Sequence, residues 1–296
     1  MKKTKGYLLL MRPANIVTSV ADILAGIAIS GFVANQSFGF QHLVPILLLC
    51  FSTVGLYGGG VVFNDVFDAE LDRIERPERP IPVGLITIRE AATLAVVMLI
   101  AGIIAAGFTS PRSGILAFLI AASALIYDKW GKHHSFAGPL NMGLCRGCNL
   151  LLGISIIPSA VNNWWYLALV PVIYIASITM ISRGEVHGGS PKTLYTASFL
   201  YAIVISLILY FAWIKGRIWL SLIFLLPFAW MIFTPLSKAI KEPVGKNIGK
   251  AVKAGVLALI LMNAAWAAAF GASYLALIIL LLLPLSLKLG KIFAVT

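Results

Sequence analysis

The 296 residues are 60% hydrophobic and only 11% charged, with a mean hydropathy of +0.95, which excludes a water-soluble globular protein. The formal net charge of +12 does not indicate a nucleic-acid partner, because the basic residues are spread between apolar runs rather than gathered with aromatic residues on one face. Anionic lipid headgroups are the expected partners of these residues.

Ten apolar runs follow one another along the chain, and each is about long enough to cross a ~30 Å hydrocarbon core as a helix. Basic residues precede the first run, as in a signal peptide, but no convincing cleavage site follows, so we expect this run to be retained. The sequence therefore predicts one all-α integral-membrane domain over residues 1–296. The runs lie at 15–33, 43–63, 88–109, 113–128, 138–158, 163–182, 194–213, 217–236, 248–270 and 273–288.

The placement of Lys and Arg predicts the orientation, since short cytoplasmic loops collect these residues. With both termini in the cytoplasm, the outer side would hold only Arg112, Lys215 and Arg217. We therefore expect an inner-membrane protein whose termini and polar active-site loops, after the second and sixth runs, are cytoplasmic.

The most informative stretch is 64–84, at the end of the second run. Asn64, Asp68 and Asp72 are each four residues apart and Asp65 lies three before Asp68, so a helix continuing past the run would place them on one face. Like charges at this spacing repel, and a bound divalent cation would offset the cost. Amide and carboxylate oxygens suit Mg²⁺, which leaves positions for substrate phosphates.

Two arginines, Arg76 and Arg79, follow beside Pro77 and Pro80. Guanidinium groups bind phosphate oxygens through pairs of parallel hydrogen bonds. The stretch therefore predicts a site for Mg²⁺ and a diphosphate. The alternative, a juxtamembrane loop of solvated and mutually neutralising charges, explains neither the four-residue spacing nor the prolines.

This stretch resembles the UbiA superfamily of intramembrane prenyltransferases, whose members carry Asn-Asp-x-x-Asp-x-x-x-Asp and then Arg-Pro-x-x-x-Gly after the second helix. The short Arg-Pro-x-Arg-Pro spacing is similar to that of archaeal-type lipid-forming members. Three weaker similarities are Arg12-Pro-Ala-Asn15, Tyr127 with Lys132, and Arg146 with Asn149. The matching motif residues are Asn64, Asp65, Asp68, Asp72, Arg79, Pro80 and Gly84.

Arg146 stands out without the resemblance, because an unpaired arginine costs several kcal/mol at the centre of a membrane helix and should face a polar cavity or an anion. The alternatives are snorkelling to an interface or pairing with Asp22, the only acid that we expect deep inside an apolar run. Tyr127 and Lys132 could equally be an aromatic-belt residue and a positive-inside residue.

The resemblance fails at the second Asp-rich motif, Asp-x-x-x-Asp, which in the family follows the sixth span and holds a second Mg²⁺. Here Glu185 stands near the position of the second Asp and Ile181 at that of the first. Arg183, His187 and Lys192 could neutralise diphosphate oxygens directly. The same change could also mark a protein that binds an isoprenoid without ionising it.

The ten runs, and a resemblance to a family whose members commonly have nine spans, predict a polytopic bundle of nine to ten transmembrane helices around a central cavity that is open to the cytoplasm. The resemblance also implies a side portal to lipid. It implies Mg²⁺-dependent transfer of a prenyl group from an allylic prenyl diphosphate to a hydrophobic, small aromatic or lipid-like acceptor. A non-catalytic UbiA-like protein that binds or transports an isoprenoid or lipid-linked metabolite is the alternative.

The site residues expected from side-chain chemistry and from the resemblance together fall into three groups. The expected metal ligands are Asn64, Asp65, Asp68, Asp72 and Glu185. The expected catalytic residues are Asp68, Asp72, Tyr127, Lys132 and Arg146. The expected substrate-binding residues are Asn15, Arg76, Arg79, Asn149, Arg183, His187 and Lys192.

Overall fold

The computed structural model describes residues 3–33, 39–185 and 188–293, and over these ranges all regular secondary structure is helical. Short 3₁₀ turns separate some of the helices. The α-helices are α1 (Lys3–Met11), α2 (Pro13–Ser30), α3 (Leu43–Phe67), α4 (Ala69–Glu75), α5 (Ile88–Thr109), α6 (Pro111–Lys129), α7 (Ala137–Ile154), α8 (Ala160–Trp164), α9 (Leu169–Ser182), α10 (Pro191–Ile214), α11 (Ile218–Lys241), α12 (Gly245–Ala269) and α13 (Ser273–Ile292).

Nine segments of the described chain are long and apolar enough to cross a membrane, with α8 and α9 together forming one of them, Ala160–Ser182. They coincide with nine of the ten predicted runs. The remaining run, 138–158, is α7, an 18-residue helix whose hydropathy is lowered by Asn141, Arg146 and Asn149. The prediction of an all-α membrane bundle of nine to ten helices is confirmed.

The centre of the bundle is formed by α2 and α12, which are 78% and 83% buried over their most apolar windows. Around them pack α3, α7, α9, α11 and α13. The outer helices expose large apolar side chains such as Phe108, Trp219 and Tyr274, as a surface in contact with lipid requires.

Close contact between α2 and α7 depends on two glycines. A Cβ atom on Gly153 would lie 2.4 Å from the carbonyl oxygen of Ile23, and one on Gly26 would lie 2.4 Å from that of Leu150. Small residues at such positions let membrane helices approach backbone to backbone. This approach brings the polar residues of α2 next to those of α7.

The acidic motif crosses a short break between α3 and α4. Asp68 lies between the two helices with φ −89° and ψ 2°. The Asp68 N–H still donates to the Asn64 carbonyl (2.9 Å), and the Asp72 N–H to the Asp68 carbonyl (2.8 Å). Because these helical bonds continue through the break, Asp65 and Asp72 both face inward and are buried. The predicted common face of the motif is retained.

Candidate active site

A cavity of about 250 Å³ lies between α3, α6, α7 and the start of α2. Leu56, Val61, Ile120 and Met142 contribute apolar wall, and polar side chains converge on the same space. The polar and charged lining residues are Arg12, Thr53, Tyr57, Asn64, Tyr127, Asp128, Arg146 and Asn149. An apolar cavity with a few convergent polar groups is the usual form of a small-molecule site.

Two arginines neutralise the acidic motif beside this cavity. Arg79 Nη1 donates to Asp72 Oδ2 (2.6 Å) and to Asp65 Oδ1 (3.1 Å), so it joins the two ends of the motif. Arg12 Nη2 also donates to Asp65 Oδ1, at 2.8 Å. The repulsion between carboxylates, for which the sequence suggested a divalent cation, is offset here by guanidinium groups.

Arg12 is a site residue that sequence reasoning missed, although it belongs to the Arg-Pro segment that precedes α2. It is the one non-glycine residue with positive φ (49°) in the described chain. Such a backbone conformation costs on the order of 1–3 kcal/mol and is often found where function requires it. The left-handed turn ends α1, lets Pro13 begin α2, and directs the guanidinium to Asp65.

Lys132, in the 3₁₀ turn after α6, forms an ion pair with Asp68. Both side chains are mostly buried, with 14% and 20% of their surface exposed. Tyr127, one turn earlier, lines the cavity. The structure thus brings the Tyr127–Lys132 segment to the acidic motif.

Asp128 is a second site residue that sequence reasoning missed. It is only 4% exposed, and its Oδ1 accepts a hydrogen bond from Asn64 Nδ2 at 3.0 Å. Its position in the last turn of α6 could have indicated a functional role. A negative charge at a helix C-terminus interacts unfavourably with the helix dipole, so a carboxylate there is expected to have a specific partner or ligand. Asp22 is therefore not the only acid buried within a predicted run.

Arg146 pairs with Asp22, which was the alternative that the sequence left open. Arg146 Nη1 lies 2.7 Å from Asp22 Oδ2, and Arg146 Nη2 donates to Thr18 Oγ1 at 2.8 Å. Asn149 Nδ2 (3.0 Å) and Asn263 Nδ2 (2.7 Å) also donate to the Asp22 carboxylate. A buried charge needs such compensation on every side.

The Arg146 guanidinium nevertheless remains part of the cavity wall. Its central carbon lies 4.9 Å from the ring centroid of Tyr57, within the range of a cation–π contact. Asn149 lines the same wall and accepts a hydrogen bond from Thr53 Oγ1 at 2.8 Å. Asn15 is buried in α2 and lies outside this lining.

The segment between α9 and α10 approaches the acidic motif through Glu185. Burial raises the pKa of Glu185, and the nearby Arg76 guanidinium opposes this shift. Glu185 Oε1 is buried without a hydrogen-bond partner in the described ranges. Ile181, at the position of the missing Asp, is packed in the core. The two polar segments therefore lie at the same end of the bundle.

The other predicted residues of this segment are less closely associated with the cavity. Arg183 Nη2 donates to the His134 carbonyl at 2.6 Å and so binds the loop after α6. Lys192 is exposed at the start of α10. His187 lies outside the described residues.

No group of three His, Cys, Asp or Glu side chains within the described chain is already arranged to hold a metal ion. Mg²⁺ bound together with a diphosphate needs only one or two carboxylates, because phosphates and waters complete its coordination. Asn64 and the carboxylates of Asp65, Asp68 and Asp72 offer such hard oxygen donors beside the cavity. The donor set fits this mode of binding.

Residues 23–252 match the model of the UbiA prenyltransferase family. The chain belongs to the UbiA prenyltransferase family. Similar curated proteins include digeranylgeranylglyceryl phosphate synthases from Saccharolobus solfataricus (29% identical over 177 residues, 60% of each chain) and from Methanothrix thermoacetophila (34% over 154 residues, 52% of this chain and 55% of the relative). The match covers less than two thirds of the length of these relatives.

Solved structures of this family share the fold. A structure of digeranylgeranylglyceryl phosphate synthase superposes with a TM-score of 0.66 at 24% identity, covering 91% of this chain and 99% of the other. A UbiA homologue from Archaeoglobus fulgidus bound to GPP and Mg²⁺ gives a TM-score of 0.62 at 16% identity, covering 90% and 99%. The bundle around a cavity is therefore the UbiA fold.

Proposed function

We propose that this UbiA-family protein transfers a prenyl group from an allylic prenyl diphosphate to a hydroxyl group of a lipid-like acceptor of the glyceryl phosphate class. One observation carries the proposal: Arg12, Arg79 and Lys132 form ion pairs with carboxylates of the acidic motif beside a largely apolar cavity. A diphosphate accompanied by a divalent cation satisfies both kinds of charge. The names of the similar curated proteins support the choice of acceptor.

Mg²⁺ is the proposed cofactor, supported by two structures of a UbiA homologue from Archaeoglobus fulgidus, one bound to GPP and Mg²⁺ and one to DMAPP and Mg²⁺. Asn64, Asp65, Asp68 and Asp72 would hold the ion, with Glu185 assisting. The ion, when bound, neutralises negative charge on the leaving diphosphate.

The basic residues of the site bind the diphosphate in this proposal. Arg12, Arg79 and Lys132 turn their N–H groups from the carboxylates to the phosphate oxygens, where charge develops as the carbon–oxygen bond breaks. The diphosphate leaves with the electron pair of that bond, the acceptor oxygen bonds to the allylic carbon, and the hydroxyl proton passes to the departing diphosphate. Arg146, held by Asp22, provides a fixed positive charge in the cavity wall.

The apolar wall of the cavity protects the reacting carbon. Leu56, Ile120 and the Tyr127 ring exclude water that would otherwise hydrolyse an allylic cation, and the ring face also stabilises positive charge. The volume of about 250 Å³ is below the roughly 300–1,000 Å³ of most ligand pockets. A long prenyl chain would therefore extend between helices into lipid, through the predicted side portal.

The proposed location is the inner membrane, with both termini and the active-site loops in the cytoplasm. The asymmetric distribution of Lys and Arg supports this orientation. The acidic motif, Lys132 and Glu185 lie at one end of the bundle, which this orientation assigns to the cytoplasm.

The test uses membranes containing the protein, labelled farnesyl and geranylgeranyl diphosphates, Mg²⁺ and a total lipid and metabolite extract. Mg²⁺-dependent transfer of label is expected, and Asp68→Asn should abolish it. Glu70→Gln is the matched control, because Glu70 is exposed and pairs only with Arg73 in the described chain. Label recovered on an aromatic product instead of a glyceryl phosphate lipid would overturn the acceptor assignment.

A second function is favoured by one observation, the replacement of the second Asp-rich motif by Ile181 and a lone Glu185. A protein with a weakened cation site could bind or transport an isoprenoid without ionising it. Label that binds but is never transferred with any extract from the native host would support this function over the transferase.

A further inference from the structure

Asp128 has surroundings that the diphosphate site does not explain. The side chain lines the cavity and is 4% exposed. Oδ1 accepts one hydrogen bond, whereas Oδ2 is buried and has no hydrogen-bond partner in the part of the chain that the structure describes. A buried carboxylate with a single hydrogen bond costs free energy unless a positive charge or further donors compensate it.

Basic side chains provide little of this compensation. Lys132, one helical turn further on, is close enough to act on Asp128 electrostatically, but its ammonium group is paired with Asp68. Asp128 itself forms no ion pair within residues 3–33, 39–185 and 188–293. The carboxylate is therefore available to a cation that is not a side chain.

Asn64 connects this carboxylate to the acidic motif. Asn64 Nδ2 donates to Asp128 Oδ1, so the Asn64 amide keeps its own Oδ1 as an acceptor for another group. Asn64 on α3 and Asp128 on α6 thus present hard oxygen atoms from neighbouring side chains that line one cavity. Such oxygens are the preferred ligands of Mg²⁺ and Mn²⁺.

We propose that Asp128 is a further metal-binding carboxylate of this site. It supplies from α6 a ligand that the segment between α9 and α10 lacks, where Ile181 stands in the core. The inference rests on the proposed function and deepens it by extending the metal site to a third segment of the chain.

Mn²⁺ binding to the purified full-length protein in detergent tests this without turnover. Mn²⁺ serves as the spin probe and inorganic pyrophosphate as the anion, and free Mn²⁺ is measured by electron paramagnetic resonance. Asp128→Asn keeps the size of the side chain and an oxygen acceptor for Asn64 but removes the charge. We expect it to lower Mn²⁺ affinity about tenfold or more. Glu70→Gln, which removes an exposed carboxylate of the acidic segment, should bind Mn²⁺ like the wild type.

Wild-type Mn²⁺ affinity in Asp128→Asn overturns the proposal. If Asp128→Ala then loses affinity while Asp128→Asn keeps it, Asp128 acts only by orienting Asn64.

If Asp128→Asn fails to fold, a variant designed to gain metal binding tests the same position. Asp128→Cys should bind Cd²⁺ more tightly than the wild type, with new cadmium–thiolate absorption, because a thiolate ligand favours soft metals. The wild type already contains Cys145 in the cavity lining and is therefore the matched control. Absence of any gain in folded Asp128→Cys overturns the proposal.

The two proposals fail in different ways. If Mn²⁺ binding depends on Asp128 but no label is transferred, the proposed transferase function is wrong and the proposed role of Asp128 as a metal ligand stands. If label is transferred but Mn²⁺ affinity does not depend on Asp128, the proposed role of Asp128 is wrong and the proposed transferase function stands.

Discussion

Arg146 and Asp22 are separated by 124 residues in the chain, yet Arg146 Nη1 lies 2.7 Å from Asp22 Oδ2 inside the bundle. Asp22→Asn would leave the arginine buried and uncompensated. Breaking a buried pair from one side costs about 3–5 kcal/mol, so we expect a clearly lower melting temperature in detergent. Replacing both residues, in Asp22→Asn with Arg146→Met, should recover much of the loss. An Asp22→Asn variant as stable as the wild type would contradict the pairing of Arg146 with Asp22.

The contact between α2 and α7 gives a second prediction. Gly153→Ala would place a methyl group 2.4 Å from the Ile23 carbonyl, so the helices must separate. We expect a loss of about 1–3 kcal/mol in stability from this overpacking. We also expect weaker activity, because moving α7 displaces the Arg146 side chain in the cavity wall. Gly107→Ala is the matched control, since its Cβ meets nothing within 4 Å, and should be neutral or stabilising by up to about 1 kcal/mol. Equal melting temperatures for the two variants would exclude this packing argument.

The helices and the acidic motif were predictable from sequence because both are periodic and local. Runs of about twenty apolar residues predict membrane helices, and the four-residue spacing of Asn64, Asp68 and Asp72 predicts a common helix face. Even α7 was found as a run, although its polar residues lower its hydropathy.

The partners within the site were not predictable, because they depend on contacts between distant segments. No spacing rule connects Arg12 to Asp65 or Asn64 to Asp128, which are 53 and 64 residues apart. The sequence showed that Arg146 needed compensation but could not decide between an anionic ligand and Asp22.

Glu185 gives a pH-dependent prediction for the metal-free protein. Burial raises its pKa above the ordinary value near 4.3, so its proton is bound more tightly in the folded state. The contribution of Glu185 to stability is therefore fully present below about pH 4 and is lost as pH rises through the folded-state pKa. Relative to Glu185→Gln, the wild type should lose melting temperature between pH 4 and pH 7. A melting-temperature difference between the wild type and Glu185→Gln that stays constant over this range would show that the Glu185 carboxylate is solvated and not buried.

Arg79 is the residue whose loss should most affect diphosphate binding, since it joins Asp65 and Asp72. Arg79→Gln removes the charge that the proposed function directs to the leaving group, and the loss of one such donor commonly lowers turnover by about 100-fold or more. Arg79→Lys keeps the charge but cannot donate in parallel to two oxygens, so it should restore only part of the rate. The control is Arg73→Gln, because Arg73 is exposed and pairs with Glu70 at 2.9 Å. Prenyl transfer by Arg79→Gln at the rate of Arg73→Gln would show that this guanidinium serves only to neutralise the motif.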